Sequence, residues 1–505
     1  MAGRDEERFQ DRQPQRKLRA TTAVTLIGGS SYVALVAGLV RSIIVMRLIG
    51  PRGRGIQRLA GLYKGYLSNL SVGWRHGVSK ELPLAIGAED AGRAAQVEDT
   101  GYLAVGVVSL LAGLGMVAYA LWLSPHQFET RVALAIGGGL LAAEEMVALY
   151  WSVLRSWESF GTLAIGELVR TFAQLGLMIL GAWLLGVTGV MLGWLAAALI
   201  LLGFLDLASR IRVSAKVDWQ QVWGLLLIGF PVALISFADI LLRSIDGAVL
   251  VHFYGEERFG LYTVAMQMAA YLFALPQAAG FVIWPKVLES YGAEADGERR
   301  SRRVLLPTIA LASVMPVIGG TAWLLMPAAV NLLVPRFALS VPAAQVLSLG
   351  ATFLALPLAS NAALVANDRE PVVIATKMAG ALVAGGGTLY LVTHEAALSS
   401  VALVACTGFT VAALLSLAVQ LQEIIDRREQ LVRELALAIA PTVWVAGALG
   451  AAGQLAGGLP EASVPGALLR VLVFLALGSP CLLYAHRRTG IGRELLALLR
   501  DRSRS

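Results

Sequence analysis

Apolar runs of roughly twenty residues recur along this chain from about residue 20 to residue 486, and no other feature limits its fold so strongly. About 20 residues at 1.5 Å rise cross the hydrocarbon of a bilayer. Inside hydrocarbon every backbone amide must find its partner within its own segment, so each run is predicted to be a spanning helix. Fourteen runs fit this ruler: near 22–48, 56–74, 100–123, 132–154, 160–185, 187–208, 223–251, 259–287, 304–328, 341–366, 371–393, 397–422, 436–458 and 464–485. They leave no stretch for a sizeable soluble domain. The composition agrees: 57% of the 505 residues are hydrophobic and 15% charged, with a mean hydropathy of +0.69, outside the usual soluble range.

The net charge of +7 does not point to nucleic acid, because the basic residues fall in short blocks between apolar runs rather than on one soluble face. With the N-terminus inside, about 28 of the 41 Lys and Arg collect on the cytoplasmic side, in the tail, "RHGVSKELP", "RIRVSAK", "GERRSRR", "DRREQLVRE" and the C-terminal segment, against about seven outside. Both termini are therefore predicted to be cytoplasmic, and residues 1–20 read as an uncleaved tail. Trp74, Trp122, Trp151, Trp219, Trp223 and Trp284 lie near run ends, as an aromatic belt places them. Cys406 and Cys481 sit within or at the end of apolar runs, where they behave as small hydrophobes rather than as a disulfide or metal pair.

An internal repeat organises the runs. "GPRGRGIQRLAGLYKGYLSNL" from Gly50 lies without gaps on "GEERFGLYTVAMQMAAYLFAL" from Gly255, matching Gly50, Gly55, Ala60, Tyr66, Leu67 and Leu70 to Gly255, Gly260, Ala265, Tyr271, Leu272 and Leu275. Spans one and two thereby fall on spans seven and eight. The expected fold is an all-α integral membrane protein of about 14 transmembrane helices, in two six-helix lobes related by a pseudo-two-fold along the membrane normal plus two C-terminal helices. The divisions are 1–20 tail, 21–218 N-lobe, 219–424 C-lobe, 425–487 the two further spans and 488–505 tail. Pro231, Pro276, Pro307, Pro316, Pro357 and Pro441 interrupt later spans, none the first six, so the second lobe is expected either to hold the bending helices or to use these prolines as static packing features.

Charges inside spans narrow the function. Asp239, Arg243 and Asp246 are spaced i, i+4 and i+7 in an apolar run, on one helix stripe. Each costs about 2.5–3.5 kcal/mol at a helix centre, so such residues face a bundle interior or a watery cavity. They are either a self-neutralised patch or a hydrophilic wall. Arg41, Lys64, Glu144, Glu145, Glu167, Arg170, Lys377 and Arg470 also fall in spans. Glu167 and Arg170 at i, i+3 alternatively form a private ion pair, Arg41 alternatively snorkels to the surface, and Arg470 reads as interfacial. Together, several buried cations point to an anionic ligand, since Arg and Lys are the usual partners of phosphate and carboxylate. There is no GxxxxGK[ST] loop, no HExxH, no paired Cys motif and no large outer loop for a glycosyl-transfer site, so neither an ATPase nor an enzyme with cofactor or metal is expected. The triple glycines at 137–139 and 385–387 lie within spans, where small residues let helices approach closely.

The segment "RSIIVMRLIGPRGRGIQRLAGLYKGYLSNLSVGW" resembles the first hairpin of the polysaccharide-transporter branch, which includes the O-antigen flippases, of the multidrug/oligosaccharidyl-lipid/polysaccharide flippase superfamily. "LLRSIDGAVLVHFYGEERFGLYTVAMQMA", followed by "WPKV", is similar to that branch's seventh and eighth helices. The resemblance spans nearly the full length and implies alternating-access translocation of an undecaprenyl-diphosphate-linked oligosaccharide across a bacterial cytoplasmic (inner) membrane. It implies cavity cations at positions corresponding to Arg41, Lys64 and Arg243, with Lys377 and Arg170 as further candidates. Asp239, Asp246, Glu144 and Glu145 are candidates for coupling H+ or Na+. Implied partners are the lipid-linked glycan, membrane lipids and the polysaccharide polymerase or chain-length machinery, with no nucleic acid. A peptidoglycan lipid-precursor flippase and a multidrug cation antiporter of the same superfamily remain alternatives. The outer turn departs from the pattern in being strongly basic, with Arg47, Arg52, Arg54 and Arg58, so Arg58 either lines the cavity or meets headgroups.

Overall fold

The computed structural model describes Phe9 and residues 20–123, 127–209, 218–292, 297–423, 428–455 and 460–489; for residues 20–27, 278, 279, 281–292, 297–303, 428 and 489 only the backbone is described. Most of the predicted tails, all of "RIRVSAK" and the first two residues of "DRREQLVRE" lie outside the described residues. Among the described residues twelve α-helices follow one another: α1 (Ala20–Gly87), α2 (Ala91–Trp122), α3 (Phe128–Ser156), α4 (Phe160–Ser209), α5 (Trp219–Gly292), α6 (Gly297–Leu333), α7 (Val341–Ala355), α8 (Leu358–Ala366), α9 (Glu370–Thr393), α10 (Leu398–Gln422), α11 (Arg428–Leu455) and α12 (Val464–Thr489). A 3₁₀ turn, Pro335–Ser340, precedes α7, and Pro357 separates α7 from α8 as the N-cap of the latter. Among the described residues there is no strand, and eleven helices, counting Pro335–Ala366 as one, are long and apolar enough to cross a membrane.

Three of these helices are too long for one crossing. At 1.5 Å per residue, the 68, 50 and 74 residues of α1, α4 and α5 reach about 75–110 Å, against a hydrocarbon thickness of about 30 Å. Each contains one glycine outside helical geometry: Gly50 (φ 68, ψ −176), Gly186 (φ 58, ψ −131) and Gly255 (φ 74, ψ −177). The chain folds back there. Arg54 reaches Ser42 at 3.5 Å, and Tyr262 reaches Asp246 at 2.6 Å, pairs that a straight helix would hold about 18 and 24 Å apart. The fourteen apolar runs accordingly fall two each on α1, α4 and α5.

The repeat has a backbone counterpart. Gly50 and Gly255, matched in the gapless sequence overlay, share a conformation essentially reserved for glycine. Four helix ends, two in each half of the chain, share one turn: Glu89, Glu158, Asp368 and Glu395 are left-handed, and the next amide closes back five residues in each, Asp90 to Ala85, Ser159 to Leu154, Arg369 to Leu364 and Ala396 to Leu391, at 2.9 to 3.1 Å. This is the Schellman arrangement with a carboxylate residue where glycine is usual.

The chain forms two compact units, 1–240 and 241–505. Close packing holds the start of α5 in the first of them. A Cβ on Gly77 would lie 2.8 Å from the Leu225 carbonyl carbon, and one on Gly229 would lie 2.8 Å from the Gly73 carbonyl carbon and 2.9 Å from the Gly77 nitrogen. The start of α5 is thus packed backbone to backbone on α1. Trp74, expected in an aromatic belt, instead donates its indole N–H to the Val222 carbonyl at 3.0 Å in the same contact, whereas Trp122, Trp219 and Trp223 are exposed.

Within the first unit, two apolar cores lie at different levels. One joins Ile56, Ala60, Met116, Leu134, Leu140 and Met191. The other joins Val78, Leu82, Val105, Leu149, Val153 and Leu205. In the second unit α11 and α12 pack on α6 through Val317, Leu324, Val445, Leu449, Phe474 and Cys481. Both cysteines are free. Gly138 of the first glycine triplet approaches Gly113 so closely that a Cβ would meet the backbone oxygen at 2.5 Å or less. Large apolar side chains such as Leu111, Leu382 and Leu472 are exposed, as a lipid-facing surface requires.

Candidate functional site

A line of polar residues runs along α1 of the first unit. After the turn at Gly50, positions 54, 57, 64, 68, 71 and 75 carry Arg, Gln, Lys, Ser, Ser and Arg. Steps of three, four and seven residues keep them on one narrow helix face. From Arg54 to Arg75 the line is about 32 Å long at helical rise, close to the thickness of the hydrocarbon.

Each cation on this face meets a partner within the unit. Arg54 donates to Gln57 Oε1 at 2.7 Å. Lys64 forms an ion pair with Glu144 of α3, and both are partly accessible, at 18% and 27% of their side chains. The other oxygen of Glu144 accepts the indole N–H of Trp194 at 2.8 Å, while the Lys64 ammonium stands 4.8 Å from the centre of the Trp194 ring. One level on, Arg75 pairs with Glu145 at 3.0 Å, and Ser71 donates to the same carboxylate oxygen. Consecutive residues on a helix point about 100° apart, so Glu144 and Glu145 take different partners.

The remaining expected residues fall as follows. Arg41, half-buried on the first half of α1, donates to Gln174 Oε1 on α4. Arg170 pairs with Glu167 at 2.6 Å, the i, i+3 pair foreseen as an alternative, and its guanidinium lies 5.2 Å from the Trp151 ring centre. Asp239 is half-buried in the first unit. In the second unit, Arg243 stacks over Phe273 at 4.0 Å, and Asp246, 2% exposed, accepts the Tyr262 hydroxyl. Lys377 is half-buried on α9. Arg58 is exposed and Arg54 partly buried. Arg470, read as interfacial, is buried against protein at 5% exposure, on a helix that packs against α6 and α11. The groups Gln57, Ser71, Arg75, Gln174 and Trp194 were not foreseen. The heptad-like recurrence of polar residues from 54 to 75 was the available signal for the first three.

Among the described residues no group of three or more His, Cys, Asp or Glu is arranged to hold a metal ion. The arrangement is one of basic side chains within apolar helices, held by the carboxylates of Glu144 and Glu145 and the amides of Gln57 and Gln174.

Residues 139–333 match a family described as "Polysaccharide biosynthesis protein". No curated protein sequence matches the chain. Among solved structures, the lipid II flippase MurJ in an inward closed conformation superposes with a TM-score of 0.69 at 11% identity, over 92% of this chain and 99% of that one. A transporter of the same superfamily from Pyrococcus furiosus, described as having a binding pocket of reverse polarity, superposes with a TM-score of 0.60 at 15% identity, over 82% and 97%. An inward-facing multidrug transporter of that superfamily gives 0.58 at 15% identity, over 85% and 99%. The chain shares the fold of these transporters, and the family description over residues 139–333 agrees with the polysaccharide-transporter resemblance read from the sequence.

Proposed function

We propose that this chain is a flippase that carries an undecaprenyl-diphosphate-linked oligosaccharide, an O-antigen or exopolysaccharide repeat unit, across the bacterial cytoplasmic membrane by alternating access. The observation that carries the proposal is the polar line on α1, about as long as the hydrocarbon is thick, with the partly accessible Lys64–Glu144 pair midway along it. A diphosphate is costly to bring out of water, and partly accessible Lys and Arg offset that cost. Arg41, Lys64 and Arg170 of the first unit and Arg243 and Lys377 of the second are the proposed headgroup contacts. The sugar follows the diphosphate and the lipid tail stays in the bilayer. Asp239, Asp246, Glu144 and Glu145 are the proposed sites for a coupling proton or sodium ion. An inside-negative potential adds about 2.3 kcal/mol per charge per 100 mV for an anion moving outward. Both termini are proposed to be cytoplasmic, and a polymerase with its chain-length machinery is the proposed recipient of the product.

A peptidoglycan lipid precursor is the second reading, favoured by the superposition on a lipid II flippase; its headgroup shares the diphosphate. The test is complementation in two depletion strains, one lacking an oligosaccharide flippase and one lacking the lipid II flippase. Surface glycan is expected to return in the first, and Lys64→Gln and Arg41→Gln, at normal expression, are expected to lose most of that activity. Rescue of the second strain alone selects the lipid precursor. Wild-type rates in both variants remove the cation-lined route.

A further inference from the structure

We infer that Glu144 is a displaceable counter-anion that occupies, on Lys64, the place taken by a substrate phosphate, and that Trp194 is the positioning residue that holds Glu144 when it lets go. The inference rests on the proposed transport of a lipid diphosphate and adds how one of its contacts is made and released.

The two carboxylates of α3 show the difference between a fixed and an exchangeable pair. Glu145 is 6% exposed and directs one oxygen to both Ser71 and Arg75. It is tied on two sides in a place that incoming anions do not reach. Glu144 is more open, and it divides its oxygens: one to Lys64, the other to the Trp194 indole. If Lys64 turns to another anion, Glu144 keeps a charge-assisted hydrogen bond at 2.8 Å and is not left as a bare buried charge. Lys64 likewise keeps the Trp194 ring beneath it at 4.8 Å, a contact that favours the cation whichever anion it serves. A diphosphate carries more charge than one carboxylate, so it wins Lys64 on arrival. The returning carboxylate then competes for the same ammonium and speeds release. No bond is made or broken; one ion pair is exchanged for another.

The experiment uses the full chain in liposomes with a fluorescent undecaprenyl-diphosphate glycan, reading initial rates against substrate density. Glu144→Gln, close in shape but uncharged, is expected to lower KM about fivefold or more and to lower kcat with it, because the competitor is gone. Lys64→Gln is expected to raise KM. Trp194→Phe keeps an aromatic ring under Lys64 but deletes the indole donor, so Glu144 stays on Lys64 and KM rises. In the Glu144→Gln background the same Trp194→Phe change should have no further effect, since Trp194 acts through Glu144. A Glu144→Gln variant that raises KM as Lys64→Gln does, or a Trp194→Phe effect that persists without Glu144, overturns the exchange and leaves transport standing. Wild-type protein that leaves the lipid diphosphate in its original leaflet removes the transport reading, and the exchange with it.

Discussion

Gly229→Ala is expected to destabilise the first unit, whereas Gly224→Ala, five residues earlier on the same helix, is not. Ordinary van der Waals contact begins near 3.4 Å, and a Cβ at 229 would stand 2.8 Å from the Gly73 carbonyl carbon and 2.9 Å from the Gly77 nitrogen. The Gly73 carbonyl oxygen is nearer still, and the carbon alone falls about 0.6 Å short of contact, against backbone atoms that cannot rotate out of the way, so α1 and α5 must part. Overpacking of this kind costs about 1–3 kcal/mol, or about 5–150-fold in the folding equilibrium. Around Gly224 nothing lies within 4 Å, and Ala in place of Gly favours a helix by about 0.5–1 kcal/mol. The two substitutions are chemically identical and opposite in expected sign, so membrane or detergent effects common to both cancel. The assay is the fraction of monodisperse protein left after a graded heat challenge, with amide hydrogen exchange over 73–77 as the local readout. If Gly229→Ala is as stable as wild type, or moves in the same direction as Gly224→Ala, the backbone contact of α1 with α5 is not what holds the start of α5 in the first unit.

Gly50→Ala and Gly255→Ala should each lose about 1–3 kcal/mol of stability, by similar amounts, because both residues hold the same glycine-only conformation; clearly unequal losses in the heat challenge would sink the equivalence of the two hairpins. Arg75→Gln strands the buried Glu145 carboxylate on Ser71 alone and is expected to cost about 3 kcal/mol or more, most of it regained when Glu145→Gln is added, a double-mutant comparison that fails if the two losses simply add.

The membrane fold was legible because burial in lipid marks nearly every residue of a span, whereas burial in a soluble core marks one face only. The hairpin turns were legible at Gly50 and Gly255 because backbone geometry there admits glycine and little else. Helix limits were less so. "RHGVSKELP" reads as a loop by its charge, yet α1 continues through it to Gly87, with Pro83 inside the helix; charge records which side of the membrane a segment prefers and not whether it is helical. That continuation lets Arg75 point back to Glu145. The candidate site was half legible. Lys64 and Glu144 stood out as charges in apolar runs, but their pairing joins residues 80 apart in sequence, and no local spacing encodes it. Trp194 and Gln174 were invisible for a different cause: an aromatic or amide side chain in a span is equally a packing residue until its partner is seen.

A hairpin closed by one glycine has no spare chain. Where Gly50, Gly186 and Gly255 each join two helices, an inserted epitope has nowhere to bulge except by unwinding what it is attached to, and a protease finds no extended strand to grip. Tags for mapping sidedness belong instead in the longer connections, such as the one between α2 and α3, and the three glycine corners should stay silent in any cleavage map of the intact protein.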